Sequence, residues 1–142
     1  MMRRTTILLS VAISLMLVVV LGTAAACNDG SPVAFFPVQK ESGLEQMLAL
    51  LEGRLELVDG YLRVVHSHGS YLAIWPHGFS VRAEGSEIQV LDGDDQVVAI
   101  VGETIKVGGG ETTAEVVELY IGKSLPDDCV GPFWIVSEMV NY

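Results

Sequence analysis

Short apolar runs separated by turn dipeptides recur along the chain, and they restrict it to a mainly β fold. The clearest pair is Arg54–Val58 and Tyr61–Val65, which Asp59-Gly60 joins. Asp-Gly is favoured in a two-residue type I′ hairpin turn, because both central positions need a positive φ. The resulting register places Leu57 opposite Leu62 and Leu55 opposite Val64 on one face, and Glu56 opposite Arg63 on the other as a cross-strand ion pair.

Further runs of the same kind follow the hairpin. They are Tyr71–Trp75, Phe79–Ala83, Glu87–Leu91, Val97–Val101, Thr104–Val107 and Phe133–Ser137. Short strands that recur every 8–12 residues are typical of small barrels and sandwiches. The sequence therefore predicts a small antiparallel barrel of OB-like type, or a sandwich, with six to seven short strands over residues 44–142.

Two segments fit either a helix or a strand. Leu44, Met47, Leu48 and Leu51 have the spacing of one or two helical turns, and the same residues could begin a long first strand. Residues 114–121 likewise allow a short helix or a strand.

Glycines punctuate the centre of the chain. Gly102-Glu103 suits a type II′ turn and predicts that Val97–Val101 pairs with Thr104–Val107. Val97–Val101 is apolar on both faces, which is typical of a central strand or of a strand inside a closed barrel. Gly108-Gly109-Gly110 then breaks the strand pattern and predicts a flexible loop, since it has neither the lysine nor the spacing of a phosphate-binding loop.

The first 26 residues have the features of a secretory signal peptide. Arg3 and Arg4 precede the predominantly apolar run Ile7–Leu21, and small residues follow it directly. A run of this length is short for a bilayer core of ~30 Å, so an uncleaved membrane anchor is the weaker interpretation. We therefore expect an exported protein.

Cys27 follows this run at the position where bacterial lipoproteins are acylated. The preceding Ala24-Ala25-Ala26 resembles a lipobox, although leucine is commonest where this chain has Ala24, and it also offers A-x-A to an ordinary signal peptidase. We favour lipidation of Cys27, which would anchor the protein on the extracytoplasmic side of a membrane; the alternative is a secreted or periplasmic protein. Residues 27–43 contain Gly, Ser and Pro and are predicted to be a flexible tether.

The chain contains two cysteines, Cys27 and Cys129. If Cys27 carries lipid, Cys129 is a lone thiol in an oxidising compartment. If it does not, a Cys27–Cys129 disulfide could join the tether to the C-terminal strand. A third interpretation is that Cys129 is buried and inert. Asp127 and Asp128 beside it would raise the pKa of its thiol, which argues against a catalytic thiolate.

The charge balance argues against two classes of partner. The whole chain has a net charge of −10, and removal of residues 1–26 takes away two arginines and no acid, which leaves −12. Proteins that bind nucleic acid or dock onto anionic lipid present a basic face. No nucleic-acid partner is therefore expected.

Four aromatic residues are candidates for ligand binding: Trp75, Phe79, Phe133 and Trp134. At one end of the barrel they would form a stacking platform or a docking patch. The alternative is that they fill the barrel interior. Phe133 and Trp134 are adjacent on a strand and cannot both point inward, so this pair is the strongest indication of a binding surface.

The three histidines suggest a metal site. His66 and His68 would lie on one side of an extended strand, and His77 follows the next strand. Zinc or copper needs three or four convergent ligands, and His-x-His alone is a weak pattern. Antiparallel pairing of the strands on either side of the His66–His68 loop would place His77 at the opposite end from His66.

A second metal interpretation concerns an acidic loop. Asp92 and Asp94 could bind calcium weakly, because clustered carboxylates suit a hard cation. Asp92-Gly93 is equally well explained as a hairpin turn.

Four segments together resemble a group of small exported bacterial β-domains. They are LLEGRLELVDGYLRV, YLAIWPHGFSV, IQVLDGDDQVVAIVG and CVGPFWIV. The resemblance covers about Leu44–Ser137, with a Trp-Pro turn and a Cys-x-Gly-Pro-aromatic segment, and it implies no activity. In that group a cysteine often follows the first Asp-Gly, where this chain has Tyr61. The resemblance therefore implies that a cross-link from this position to Cys129 is missing here.

The sequence contains no catalytic constellation: it has no Gly-x-Ser-x-Gly segment, and its carboxylates are scattered as on a solvated face. We therefore expect no enzyme activity and no cofactor. The leading hypothesis is an exported, lipid-anchored binding module for an envelope protein, a glycan or a small molecule. The alternatives are an extracytoplasmic metal-binding protein and a structural accessory domain without its own ligand.

Overall fold

The computed structural model describes residues 30–44 and 47–140. The signal peptide and Cys27, both predicted from sequence, lie outside these residues. In the described part of the chain, no helix has the length and apolar character that crossing a bilayer requires.

Five strands close into a barrel. They are β1 (Ala49–Val58), β2 (Tyr61–His66), β3 (Gly69–Ile74), β7 (Thr104–Thr112) and β8 (Phe133–Met139), and β1 pairs with both β2 and β7. Neighbouring strands are antiparallel except β3 and β8, which are parallel. The predicted small barrel is confirmed, but the parallel pair departs from the all-antiparallel expectation. Parallel neighbours need a long crossover, which the chain between β3 and β8 provides.

Three further strands form a separate antiparallel sheet. They are β4 (Ser80–Glu84), β5 (Glu87–Leu91) and β6 (Val97–Ile100), with β5 in the centre. The described residues thus form eight strands, where six to seven were expected. Val90 and Ala99 of this sheet are buried in the same cluster as the residues of the barrel interior, so the sheet covers part of the barrel core.

The β1–β2 hairpin has the predicted register. Leu55 pairs with Val64, Glu56 with Arg63 and Leu57 with Leu62, around a turn in which Asp59 and Gly60 both have positive φ. The expected Glu56–Arg63 ion pair is wrong, because the Arg63 guanidinium group is directed towards other partners that are described below.

The predicted pairing of Val97–Val101 with Thr104–Val107 is also wrong. β6 pairs only with β5 and is an edge strand of the second sheet, whereas β7 belongs to the barrel. The turn between them is bound to β1, since Gly102 N–H donates to Leu55 O (2.7 Å) and Leu55 N–H donates to Glu103 O (2.9 Å). These bonds separate the two strands.

The triple glycine is part of a strand and not the flexible loop predicted. Gly108, Gly109 and Gly110 are buried within β7, and a bulge between Gly108 and Gly109 shifts the pairing with β8. A Cβ atom on Gly109 would lie 1.8 Å from Ile135 O, and one on Gly110 would overlap Met47. Glycine is required here because neighbouring chain segments approach the backbone so closely.

The two segments that fitted either a helix or a strand are resolved differently. Residues 114–121 form helix α1 (Ala114–Ile121), which ends at Gly122 in the left-handed conformation (φ 73°). Val117 and Ile121, four residues apart, are its buried positions. From Ala49 the strand alternative is confirmed, since β1 begins there; Leu44, Met47 and Leu48 are in neither a helix nor a strand, and residues 45 and 46 lie outside the described residues.

The predicted tether is packed on the barrel over residues 33–40, which we name the N-terminal strap. Ala34 N–H donates to Gly60 O, Gln39 N–H donates to Trp75 O, and Val38 forms a parallel bridge with Trp75. Phe36 stacks on Trp75 with ring centroids 5.7 Å apart. For this stretch a flexible tether is therefore the wrong description; apolar residues between its prolines supply the packing.

Two apolar clusters stabilise the fold. The first fills the barrel interior and includes Leu55, Val64, Trp75, Trp134 and Val136. The second lies outside the barrel wall, where α1 and the strap cover it, and its buried members are Tyr61, Leu72, Ile74, Val117, Ile121, Cys129, Phe133 and Ile135. The wall between β2 and β8 is therefore buried on both faces.

Candidate functional site

The four aromatic candidates do not form a surface. Trp75, Phe133 and Trp134 are 0%, 5% and 6% exposed, and Phe79 packs against the interior cluster. Phe133 and Trp134 point to opposite faces of β8 as expected, but each face has its own apolar cluster. The alternative interpretation, core packing, is therefore the one that the structure supports. Trp134 points inward, and Phe133, which therefore points outward, packs in the outer cluster under α1.

The metal candidates are not brought together. The rings of His66 and His68 lie 6.1 Å apart, and His66 stacks on Tyr71. His77 is separate, with Nδ1 3.2 Å from Gln39 O, beside the strap. Among the described residues, no three His, Cys, Asp or Glu side chains are grouped so that they could hold a metal ion.

Asp92 and Asp94 form a turn, as the alternative interpretation proposed. Asp92 Oδ1 accepts hydrogen bonds from Asp94 N–H (2.9 Å) and Gln96 N–H (3.0 Å). This carboxylate thus stabilises the loop between β5 and β6 by satisfying backbone donors.

Sequence reasoning missed a cavity of about 190 Å³ at the turn between β1 and β2. We name it the Arg63 pocket. It is lined by Val58, Asp59, Tyr61, Arg63, Ser70, Asp128 and Val130. β1, β2 and β3 supply one wall, and the loop that precedes β8 supplies the other.

Arg63 is the central group of this pocket. It is only 8% exposed; its Nε donates to Ser70 Oγ (3.0 Å) and its Nη1 to Val130 O (2.9 Å). Nη2 makes longer contacts with Ser70 O and Pro132 O (3.3 and 3.4 Å). Within the described residues, no carboxylate lies within 4.0 Å of the guanidinium group.

Among the described residues Arg63 is a buried cation without an anionic partner. Burial lowers the pKa of Arg63 from its usual range, because desolvation disfavours the charged form. The carbonyl groups solvate the guanidinium but do not neutralise it, so an anion that entered the pocket would meet a desolvated positive charge.

Tyr61 and Asp128 form the second polar pair. The Tyr61 hydroxyl donates to Asp128 Oδ1 at 2.6 Å. This bond, together with burial and the carboxylate charge, raises the pKa of Tyr61 to about 12. Asp128 is exposed and lies at the rim, as does Asp59. The pocket therefore combines a buried positive group with exposed negative groups.

Cys129 lies behind this pair and is unpaired and 7% exposed. Burial raises the pKa of its thiol, Asp128 adds to the increase, and Arg63 opposes it. The sequence-based expectation of a raised pKa agrees with this direction. Cys129 also shares the outer cluster with Tyr61.

A larger groove of about 290 Å³ lies between β6 and β7. The positive charge of Lys106, which lines this groove, is already paired with Glu52, since Lys106 Nζ is 3.3 Å from Glu52 Oε2. A third cavity of about 130 Å³ lies beside His77 and the strap. The Arg63 pocket differs from both because it contains a buried cation and an apolar rim, in which Val58 is 38% and Val130 65% exposed.

A signal for this pocket was present in the sequence. Arg63 is the one charged residue in the run Tyr61–Val65, directly between positions that face the core. We assigned it to an ion pair with Glu56, and the register alone could not show that the loop before β8 would cover it.

These features define a class: a closed five-stranded barrel with an inserted three-stranded sheet and a small charged pocket on its outer face. Comparisons of the chain with protein-family models, with curated proteins and with solved structures found no match.

Proposed function

We propose that this protein is an exported, lipid-anchored domain that binds a ligand of the cell envelope in the Arg63 pocket. The observation that carries the proposal is Arg63, a buried cation without a carboxylate partner among the described residues, in a cavity with an apolar rim. Small-molecule sites typically combine apolar walls with a few converging polar groups.

Export and anchoring rest on the sequence. The basic start, the apolar run and the small residues before Cys27 support secretion followed by acylation.

We propose binding rather than catalysis. The one described cysteine has a thiol whose pKa is raised by burial, whereas a catalytic cysteine needs a stabilised thiolate. The Tyr61 hydroxyl is engaged with Asp128. Tyr61 lines the pocket and Cys129 does not, and neither group is available as a nucleophile, which supports a pocket that holds a ligand without reacting with it.

Two measurements test this function. Cys27→Ser should move the protein from the membrane fraction to the soluble fraction of its own host, while Cys129→Ser should leave it in the membrane fraction. The Cys27→Ser protein, titrated with a polar extract of the host envelope, should show amide shifts in nuclear magnetic resonance at Tyr61, Ser70 and Val130. Shifts at the β6–β7 groove, or no shifts, would show that the pocket is not the binding site.

A further inference from the structure

The strap places the Arg63 pocket close to the membrane if Cys27 is acylated. Ala34 N–H is 2.8 Å from Gly60 O, and a Cβ atom on Gly60 would be 2.7 Å from Ala34 Cβ, so this contact is close. Seven residue steps separate Cys27 from Ala34, which span at most about 25 Å even when fully extended. The residues on either side of Gly60 line the pocket.

The charges of the pocket are arranged by depth. Arg63 is buried on the barrel wall, whereas Asp59 and Asp128 are exposed at the rim. A ligand with one negative and one positive group would complement both levels. A purely anionic ligand would satisfy Arg63 but would be repelled by the two aspartates and by the acidic chain as a whole.

The remaining donors and the size restrict the negative group further. A guanidinium group has five N–H donors and a serine hydroxyl can both accept and donate. The four bonds described above use four donors of Arg63, so one guanidinium N–H and the Ser70 hydroxyl proton remain for a ligand. One N–H of a charged arginine together with one hydroxyl can hold an oxygen of a phosphate group. The volume of about 190 Å³ suits a small head group and not a whole lipid, and the exposed Val58 and Val130 side chains would contact the apolar part that extends from it.

We propose that the Arg63 pocket binds the head group of an ethanolamine phospholipid of a membrane, with its phosphate against Arg63 and Ser70 and its primary ammonium group, which can donate hydrogen bonds, against the carboxylates of Asp59 and Asp128. This inference rests on the proposed function, because the Cys27 anchor supplies the proximity to the bilayer. It also specifies the ligand: an ethanolamine-type head group presented by a membrane.

The experiment measures sedimentation with vesicles of the mature chain, residues 27–142, carrying Cys27→Ser, so that binding is read without acyl chains and without the signal peptide. Vesicles of phosphatidylcholine with phosphatidylethanolamine should carry the protein down, and vesicles with phosphatidylglycerol in place of phosphatidylethanolamine should carry less. Soluble phosphoethanolamine should compete at millimolar concentration, and inorganic phosphate should compete less well.

Two matched pairs of variants locate the contact. Asp59→Asn removes one rim charge, and Asp95→Asn is its control, because both aspartates are turn residues with positive φ (52° and 60°) that asparagine tolerates. Asp59→Asn should weaken vesicle binding about threefold, the effect of one exposed charge pair, and Asp95→Asn should not. Val130→Asp should weaken binding more than Val97→Asp, since both valines are exposed but only Val130 lines the pocket.

Each other outcome overturns the inference. These outcomes are equal or stronger binding to phosphatidylglycerol, binding of free phosphoethanolamine without vesicle binding, equal effects within a matched pair, and no binding at all. Failure of the proposed function is seen separately: if wild-type protein in the host is not membrane-bound through Cys27, the anchor is wrong whatever the vesicles show.

Discussion

Gly109 occupies the tightest point of the barrel wall. Its φ is 153°, and a Cβ atom there would lie 1.8 Å from Ile135 O and 2.7 Å from Trp134 Nε1. Backbone atoms cannot move aside as the end of a flexible side chain can. The bulge at this position therefore depends on the absence of a side chain.

We expect Gly109→Ala to lower the free energy of unfolding by about 3 kcal/mol, the scale of strain at a position that a side chain cannot occupy. Urea denaturation measures it. Gly93→Ala is the control, because a Cβ atom there meets nothing within 4 Å and its φ is not positive, so it should change stability by less than about 0.5 kcal/mol. Equal effects of the two variants would contradict the close approach at Gly109.

Tyr61 makes stability depend on pH in the alkaline range. Its pKa is raised from 10.0 to about 12, chiefly by the hydrogen bond to Asp128. Because the folded state holds the proton more tightly than the unfolded state does, the contribution is fully present below pH 10 and is lost as the pH rises towards 12. Stability therefore falls over this interval.

We expect the melting temperature of the wild-type protein to fall more steeply between pH 10 and pH 12 than that of Tyr61→Phe. Absorbance titration of the phenols should show that Tyr61→Phe lacks the component that ionises near pH 12, and Asp128→Asn should move that component towards pH 10. Parallel slopes for the wild-type protein and Tyr61→Phe would show that the bond to Asp128 does not stabilise the fold.

The strap is an integral element of the domain. Besides its backbone bonds to Gly60, Trp75 and Tyr120, it inserts the Gln39 side chain, 8% exposed, whose Nε2 donates to Val136 O (2.7 Å) and Ile74 O (3.4 Å). Gln39 thereby bridges the parallel strands β3 and β8 beside their last paired residues, where their own hydrogen bonds end.

We expect Gln39→Leu to lower the free energy of unfolding by about 2 kcal/mol, because it leaves two buried carbonyl groups with a lost donor. Glu41→Leu, at an exposed position just beyond the strap, is the control and should be nearly neutral. If thermal or urea denaturation shows the two variants to be equal, the strap is not an integral element.

Sequence patterns that span a few residues predicted the turns and single strands of the molecule correctly, but not how distant strands are arranged. The Asp59-Gly60 hairpin, its register and β5 follow from turn chemistry and alternation, which act over a few residues. The small barrel followed from the spacing of the runs. The parallel β3–β8 pair did not, because a contact between residues 61 positions apart, such as Leu72 and Phe133, leaves no local pattern.

The predictions that were wrong, for the triple glycine, the strap and Arg63, also concern contacts between segments that are distant along the chain. The run Gly108–Gly110 resembles a loop because glycine lacks a side chain. In the structure, that lack of a side chain allows β8 and the Met47 side chain to approach the backbone closely. The strap resembles a tether because of Pro37 and the Gly30-Ser31-Pro32 segment before it, and only the position of Trp75 reveals the packing. For the Arg63 pocket, the sequence shows an arginine within an apolar strand. It does not show that the loop at Val130, which is distant along the chain, covers this arginine and accepts a hydrogen bond from it.

We propose a lipid-anchored domain whose pocket lies near a membrane. Intact mass spectrometry of the protein from the membrane fraction of its own host is the decisive test of the anchor. We expect the mass of Cys27–Tyr142 plus acyl chains, with Cys129 as a free thiol. A mass without acyl chains, lower by the two hydrogens of a Cys27–Cys129 disulfide, would contradict it.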